Sequence, residues 1–239
     1  MVSGRQKVSV IIQARLGSTR LPGKAMMDLC GKTVLARAIN AAKRAKTVDS
    51  VCVATSTGEA GEIISAEASK NKVISFKGSE EDVLDRYAKA ALRLGSDVIV
   101  RVTADNPLTE TSFIDLCVNK ITSTRCDLVT MKNIPYGSGV EVVRRDTLIA
   151  VSRAARRAHD REHVTTYIYK NTEIFNVCYL EPIPKLRRPD IRVTLDTMDD
   201  YCALYKIFNK FSGISADKKR LERVIKFIDA LKISERGRS

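Results

Sequence analysis

The chain has 239 residues, 44% of them hydrophobic and 29% charged, with a formal net charge of +13. That length and apolar content support a real core and one large α/β domain, with no low-complexity tract or internal repeat. The longest apolar run is far too short to span a bilayer and no signal-peptide h-region opens the chain, so membrane spans are excluded and the cytoplasm is the expected location.

The surplus of positive charge predicts anionic company: nucleic acid, an acidic membrane face, or phosphorylated and carboxylated small molecules. Aromatics are only 5%, Trp is absent, and no RNP-like or zinc-finger signature occurs, so nucleic-acid binding has no reading element behind it. A Lys-, Arg- and Glu-rich surface also suits a heat-adapted protein. The cysteines, Cys30, Cys52, Cys117, Cys126, Cys178 and Cys202, form no C-x-x-C pair and mostly lie in apolar segments. They read as small buried hydrophobes, not as zinc ligands or a disulfide framework.

Taken in order, Val8 to Ile12 reads as a strand buried on both faces, followed by a loop rich in small residues and cations. Thr33 to Ala45 has helical spacing with Thr33 as N-cap. A strand at Val48 to Ala54, a helix at Glu59 to Ser69 and a short strand at Val73 to Phe76 follow. Glu80 to Leu94 is a helix, Asp97 to Val102 a strand, Thr111 to Ile121 a helix, and Cys126 to Met131 a strand. This alternation predicts a mostly parallel, Rossmann-like sheet with helices on both faces. From Met131 the rhythm changes: a turn-rich loop, a strand near Val140 to Val143, helices at Asp146 to Ala158 and Arg161 to Lys170, and a strand at Phe175 to Leu180. Residues 132–190 therefore read as an α+β lobe inserted before a last sheet strand, Ile191 to Leu195. Helices at Asp199 to Phe211 and Asp217 to Leu231 close the chain, and Ser234 to Ser239 is expected to fray.

Ligands of such sheets lie at the carboxyl ends of the strands, and the sharp motifs fall there. After the first strand come Arg15, Gly17, Ser18, Thr19, Arg20, Gly23 and Lys24. Gly17 and Ser18 let backbone N–H groups approach oxygens, three cations neutralise a polyphosphate, and the Pro22-Gly23 turn aims Lys24 back. The competing reading is an ordinary solvated basic turn. It is not a Walker A loop: five residues separate Gly17 from Gly23 instead of four, and Ala25 stands where a Ser or Thr would bind magnesium. At Arg101-Val102-Thr103-Ala104-Asp105-Asn106-Pro107 a lone carboxylate follows a buried strand. Asp105 is either a cap for the next helix or a Mg²⁺ ligand, since Mg²⁺ takes one or two carboxylates plus phosphate oxygens. In Leu195-Asp196-Thr197-Met198-Asp199-Asp200 the capping-box pattern accounts for Thr197 and Asp200. Asp196 precedes the box and is left for chemistry. Two strand-end aspartates facing a basic loop are what metal-assisted nucleotidyl transfer needs.

The run Gln13 to Lys24 resembles the signature of the cytidylyltransferases that make CMP-activated acid sugars, the CMP-Kdo and CMP-sialic acid synthetases, and most of all their SpsF-like branch from spore-coat polysaccharide synthesis. The resemblance spans about residues 8–205 and implies a nucleotide-diphospho-sugar transferase fold. In the family this loop grips the CTP phosphates, which carries over to Ala14, Arg15, Gly17, Ser18, Arg20 and Lys24. The metal carboxylates match Asp105 and Asp196, and Arg101 matches a polar position near the nucleotide. Gly78-Ser79-Glu80-Glu81-Asp82-Val83-Leu84-Asp85-Arg86-Tyr87 is similar to an SpsF-like run beside the nucleotide, making Gly78, Ser79 and Arg86 candidates for base or ribose contacts. Gly139 and Glu141, and the run Arg161-Glu162-His163-Val164-Thr165, resemble acceptor-side elements. Gly139, Glu141, Glu162 and His163 are therefore candidates for acceptor contacts, although a lone His is as often structural. One departure is plain: relatives carry an Asp shortly after the run Val53 to Ser56, where this chain has Thr57-Gly58-Glu59-Ala60-Gly61-Glu62. Relatives also pair through the lobe, which implies a homodimer.

The expected protein is a Mg²⁺-dependent cytidylyltransferase. A hydroxyl of an anionic small-molecule acceptor, an ulosonic or sialic-type sugar acid or similar, attacks the α-phosphorus of CTP and releases pyrophosphate. Arg15, Arg20, Lys24, Asp105 and Asp196 are the catalytic set. The alternatives are a nucleotidyltransferase with another NTP or a sugar-phosphate acceptor, and a non-catalytic nucleotide- or nucleic-acid-binding protein. Lys185, Arg187 and Arg188 either hold an acceptor carboxylate or form a solvated loop.

Overall fold

The computed structural model describes residues 5–211 and 220–236. In chain order the elements are β1 (Val8–Gln13), α1 (Val34–Lys43), β2 (Ser50–Ser56), α2 (Glu59–Lys70), β3 (Ile74–Gly78), α3 (Val83–Leu94), β4 (Val98–Thr103) and α4 (Thr111–Ser123). There follow β5 (Leu128–Met131), β6 (Glu141–Arg144), α5 (Arg145–Ala154), α6 (Ala158–Glu162), α7 (Thr166–Lys170), β7 (Val177–Leu180), α8 (Met198–Lys210) and α9 (Arg220–Arg236).

The strands form one seven-stranded sheet in the order β3-β2-β1-β4-β6-β5-β7. Every pairing is parallel except those of β6, which runs antiparallel to both β4 and β5. Alternation along the central strands feeds two cores. Val8, Val10 and Ile12 of β1 pack with α1 and α4 on one face, whereas Ile11 joins Leu84, Ile99 and Leu148 on the other. Helices therefore cover both faces, as the apolar run of β1 predicts. Ser9 breaks that run without a loss, because its buried hydroxyl pairs with those of Ser50 at 2.7 Å and Ser96 at 2.5 Å. The winding reverses at β1, which pairs with β2 on one side and β4 on the other, so a crevice opens past their carboxyl ends. The Tyr87 hydroxyl, donating toward Ile11 O and Val102 O at 3.1 Å each, ties the two strands there.

Several expectations are corrected. Residues 191–195 are not a strand of the sheet. They bury Ile191, Val193 and Leu195 as a strand would, but β6 already occupies the slot beside β4. Their backbone pairs instead with loops: Tyr136 N to Ile191 O and Val193 N to Tyr136 O, both 2.8 Å, and Leu195 N to Asp105 O, 2.8 Å. The two helices expected between Asp146 and Lys170 are three. Arg161 ends α5 early by donating to Ser152 O and Ala155 O, and Val164, with φ of 54°, separates α6 from α7. Helix α3 starts at Val83, not Glu80, because Asp82 caps it through the amide of Asp85 at 2.9 Å. The expected helix start at Asp217 lies outside the described residues, as do the last three residues of the tail, while α9 continues through Ser234 to Arg236.

The cysteine reading fails for three of the six, the disulfide pair and the exposed Cys202. Cys126 and Cys178 are joined in a disulfide, with Cα atoms 6.0 Å apart. The cause is the parallel pairing of β5 with β7, which sets Cys178 beside Val129 and so near Cys126. Cys52 and Cys117 are buried as expected, and burial pushes both thiols up to about 12. Cys30 is half-buried and Cys202 exposed.

Candidate active site

The loop after β1 folds on itself. The amides of Ser18 and Gly23 both donate to Leu16 O, at 2.9 and 3.0 Å. Gly23 takes the left-handed conformation, φ 70°, and turns the chain back into a short 3-10 segment that begins at Lys24. Lys24 thus points beneath the loop. Its Nζ donates to Asp105 Oδ2 at 2.7 Å, Asp196 Oδ1 at 2.8 Å and Leu195 O at 2.8 Å. Arg20 Nη2 adds a contact to Asp196 Oδ1 at 3.0 Å. One ammonium therefore gathers two carboxylates from distant parts of the chain.

Neither aspartate caps a helix, although the sequence offers that reading for Asp105. The cap of α4 is Glu110, whose carboxylate accepts from Ser112 N at 3.1 Å, so Asp105 is spared. Thr197 and Asp200 complete the capping box of α8 between themselves, as expected, and leave the Asp196 carboxylate outside it. Burial alone would raise the Asp196 carboxyl, but the bonds and charges of Lys24, Arg192 and Arg20 outweigh it and hold the group below the ordinary carboxylate value.

These residues open onto a cleft of about 1000 Å³. Ala14, Arg15, Ser18, Arg20, Lys24, Arg86, Arg101, Asp105 and Asp196 line it, and Gly139, Glu141, Glu162 and His163 line it from residues 132–190. Gly17, Gly78 and Ser79 are not among the lining residues. Gly17 backs onto Glu80, and a Cβ at Gly78 would lie 3.2 Å from the Arg86 side chain. Ser79 O accepts from Arg86 Nη1. Gly78 and Ser79 therefore shape Arg86 from behind the wall. Arg86 is fully buried with its Nε unpartnered, and burial lowers its pKa.

The floor is a charged network. Arg101 Nη1 donates to Glu141 Oε2 at 2.6 Å, and Nη2 to Gln13 Oε1 at 3.2 Å. Thr165 and Tyr169 hydroxyls donate to Glu141 Oε1 at 2.9 and 2.7 Å. Burial alone would lower the Arg101 pKa, but the adjacent Glu141 carboxylate overrides it and raises it. Tyr169 is raised by burial and then by the same carboxylate. At the rim Arg15 Nη2 meets Glu162 Oε1 at 3.0 Å, and the His159 and His163 rings lie 4.4 Å apart. Lys185, Arg187 and Arg188 are not brought to the cleft. They pair with Glu222, with Glu181, and with Asp190 and Asp229.

The family model for cytidylyltransferases matches residues 9–232. The chain belongs to the cytidylyltransferase family. It is 38% identical to an uncharacterized protein of Methanocaldococcus jannaschii, over 93% of this chain and 90% of that one. It is 35% identical to the spore coat polysaccharide biosynthesis protein SpsF of Bacillus subtilis, over 84% of this chain and 85% of that protein. A solved cytidylyltransferase from Leptospira borgpetersenii superposes with a TM-score of 0.87 at 30% identity, covering 95% of this chain and 96% of that one. The chain is thus a nucleotidyltransferase of the type that the first loop and the aspartate motifs resemble.

For a cytidylyltransferase the cleft also contains residues that motif reading passes over. Tyr169, His159, Lys132 and Tyr136 all line it. Tyr169 lies one helical turn past Thr165 and carries an apolar signal in sequence, so only the fold reveals its hydroxyl against Glu141. As a metal centre the site is sparse. Among the described residues no group of three or more His, Cys, Asp or Glu side chains could hold an ion. Two carboxylates facing one cation position nevertheless suit Mg²⁺, which completes its shell with substrate phosphate oxygens and water. The Lys24 ammonium already marks that position, between Asp105 Oδ2 and Asp196 Oδ1.

Proposed function

We propose that this cytidylyltransferase transfers CMP from CTP to a hydroxyl of an acidic acceptor, a sugar acid of the ulosonic or sialic type, with Mg²⁺ as its cofactor. The acceptor oxygen bonds to the α-phosphorus as the bond to the bridging oxygen of the leaving pyrophosphate breaks, and the hydroxyl proton passes to water. A divalent ion held by Asp105 and Asp196 would supply charge neutralisation at the phosphoryl group and would lower the pKa of the attacking hydroxyl. The observation that carries the reading is the convergence of Asp105, Asp196, Lys24 and Arg20 at the mouth of the crevice.

The cations of the first loop do the remaining electrostatic work. In the structure each is held by a carboxylate: Arg15 by Glu162, Arg20 by Asp196, and Lys24 by both aspartates. A triphosphate offers all three a better anion, so they turn from carboxylate to phosphate and stabilise the charge that builds on pyrophosphate. Ala14 and Ser18 line the cleft beside these cations, whereas Gly17 stands behind the loop against Glu80. Arg86 and Arg101 stand along the nucleotide side with buried Nε–H groups that lack a protein acceptor, and Gly78 and Ser79 set the course of Arg86.

The acceptor sits on the side of residues 132–190, against Gly139, Glu141, Glu162 and His163. Glu141 is already satisfied by Arg101, Thr165 and Tyr169, so it presents a fixed rim more than a free acceptor oxygen. The same segment forms the homodimer contact: β7 is an outer strand with Tyr179 50% exposed, and Ile183 just past it is 60% exposed. Pyrophosphate release measured with each of the four NTPs, with and without Mg²⁺, across a panel of sugar acids and sugar phosphates tests the proposal. Turnover only with CTP, Mg²⁺ and a carboxylated acceptor is the expected result. Preference for another NTP or for a sugar phosphate overturns it.

A further inference from the structure

A salt-linked column stands behind Asp196. Arg192 Nη2 donates to Asp196 Oδ2 at 2.6 Å, whereas Lys24 and Arg20 both use Oδ1, at 2.8 and 3.0 Å. The two carboxylate oxygens are thus divided, one toward the cleft and one toward Arg192. The guanidinium is itself fixed. Asp200 accepts from its Nε at 2.9 Å and its Nη2 at 3.3 Å. Asp200 is held in turn by the amides of Asp196 at 2.8 Å and Thr197 at 3.0 Å. The Arg192 guanidinium carbon lies 5.0 Å from the centre of the Tyr136 ring, and the backbones of the two segments pair on either side of it.

The capping box of α8 needs only Thr197 and Asp200, so helix formation does not call for an arginine at 192. Burial does not call for one either, since the Arg192 side chain is 43% exposed. What Arg192 adds is a fixed, bidentate-capable donor behind one oxygen of Asp196.

We infer that Arg192 is a positioning residue for Asp196, holding Oδ2 outward so that Oδ1 faces the cleft for a divalent cation, with Tyr136 as the platform that holds the guanidinium. This rests on the proposed role of Asp105 and Asp196 as metal carboxylates. Partners behind a ligating carboxylate orient it, and their loss costs about 10–100-fold in metal affinity or activity.

The test uses Mn²⁺ and CTP without acceptor, so that nothing turns over. Binding is read by the water-proton relaxation enhancement of the protein-bound Mn²⁺–CTP complex, with thermal melting alongside. Arg192→Gln weakens Mn²⁺ by about 10-fold or more while the melting temperature stays close to wild type. Arg192→Lys recovers part of the loss, because an ammonium supplies charge to Asp196 without the fork that also engages Asp200. Tyr136→Leu gives a smaller loss in the same direction. In turnover assays the Mg²⁺ half-saturation of Arg192→Gln rises, while the KM for CTP at saturating Mg²⁺ moves little. Wild-type Mn²⁺ affinity in Arg192→Gln, or a loss of affinity that only tracks a fall in melting temperature, overturns the inference and leaves the proposed function standing. If the wild-type protein binds CTP but no Mn²⁺ with it, the metal reading fails and the role of Arg192 falls with it.

Discussion

Lys24 is the residue on which the site turns. An ammonium within 2.8 Å of Asp105 and Asp196 neutralises two carboxylates that would otherwise repel each other in a half-buried crevice. Replacing it with Gln removes the cation from Asp105 and leaves Asp196 with only Arg20 and Arg192, and turnover is expected to fall by about 100-fold or more, measured as pyrophosphate release at saturating CTP and Mg²⁺. Asp196 carries a pH consequence. Its folded pKa lies below its unfolded one, so the stability it contributes is fully present above the ordinary Asp value of about 4 and is lost as pH falls through the lower folded value. Acid unfolding followed by circular dichroism should therefore show a shallower decline below about pH 4 in Asp196→Asn than in the wild type. The Arg15–Glu162 pair is a weaker device. Both side chains are nearly half exposed, so the pair is worth at most about 1 kcal/mol. Glu162→Gln should change CTP affinity by less than about fivefold by calorimetry while raising the KM of the acceptor. A large change in CTP affinity alone would place Glu162 on the nucleotide side.

At the scale of elements, α5, α6 and α3 are locked together by one side chain. Arg161 donates to Ser152 O at 3.0 Å and Ala155 O at 2.8 Å at the end of α5, and to Asp82 Oδ2 at 2.7 Å at the cap of α3. Arg161→Ala leaves two carbonyls and a capping carboxylate without it, and should lower stability by about 1–3 kcal/mol in urea unfolding. The arrangement also explains which elements are readable in sequence. The strands β1, β2 and β4 and the helices α1 and α3 announce themselves because buried apolar runs and amphipathic faces agree with their caps. Arg161 does not: in sequence it reads as the start of the next helix, and only the three-dimensional course of α5 shows that it holds the end of the one before. Residues 191–195 mislead for a related reason. Their alternation is that of a strand, but whether a strand joins a sheet depends on a free neighbour, and β6 has taken that place.

Over the whole molecule, the carboxyl ends of β1 and β4 form the meeting point of the two halves. The side of the cleft proposed for the nucleotide was legible in part: its cations and strand-end aspartates lie in short contiguous runs and do line the cleft, whereas Gly17, Gly78 and Ser79 stand behind its wall. The half built by residues 132–190 was legible only in part, since its floor depends on side chains such as Tyr169 and Arg101 that converge from separate elements. The disulfide was illegible for the same reason: 52 residues separate Cys126 from Cys178, and no local motif joins them. In the chain-entropy model a bridge closing a loop of that size stabilises by about 4 kcal/mol. Cys178→Ser, or reduction of the wild type, should lower the urea midpoint by an amount corresponding to about 2–4 kcal/mol. The account as a whole depends on the two aspartates acting together with CTP. Its most direct test is pyrophosphate release by Asp105→Asn and Asp196→Asn with CTP, Mg²⁺ and an acceptor that the wild type uses. Loss of turnover by at least about 100-fold in both, with each protein still folded, is the predicted result. Turnover near wild type in either would contradict it.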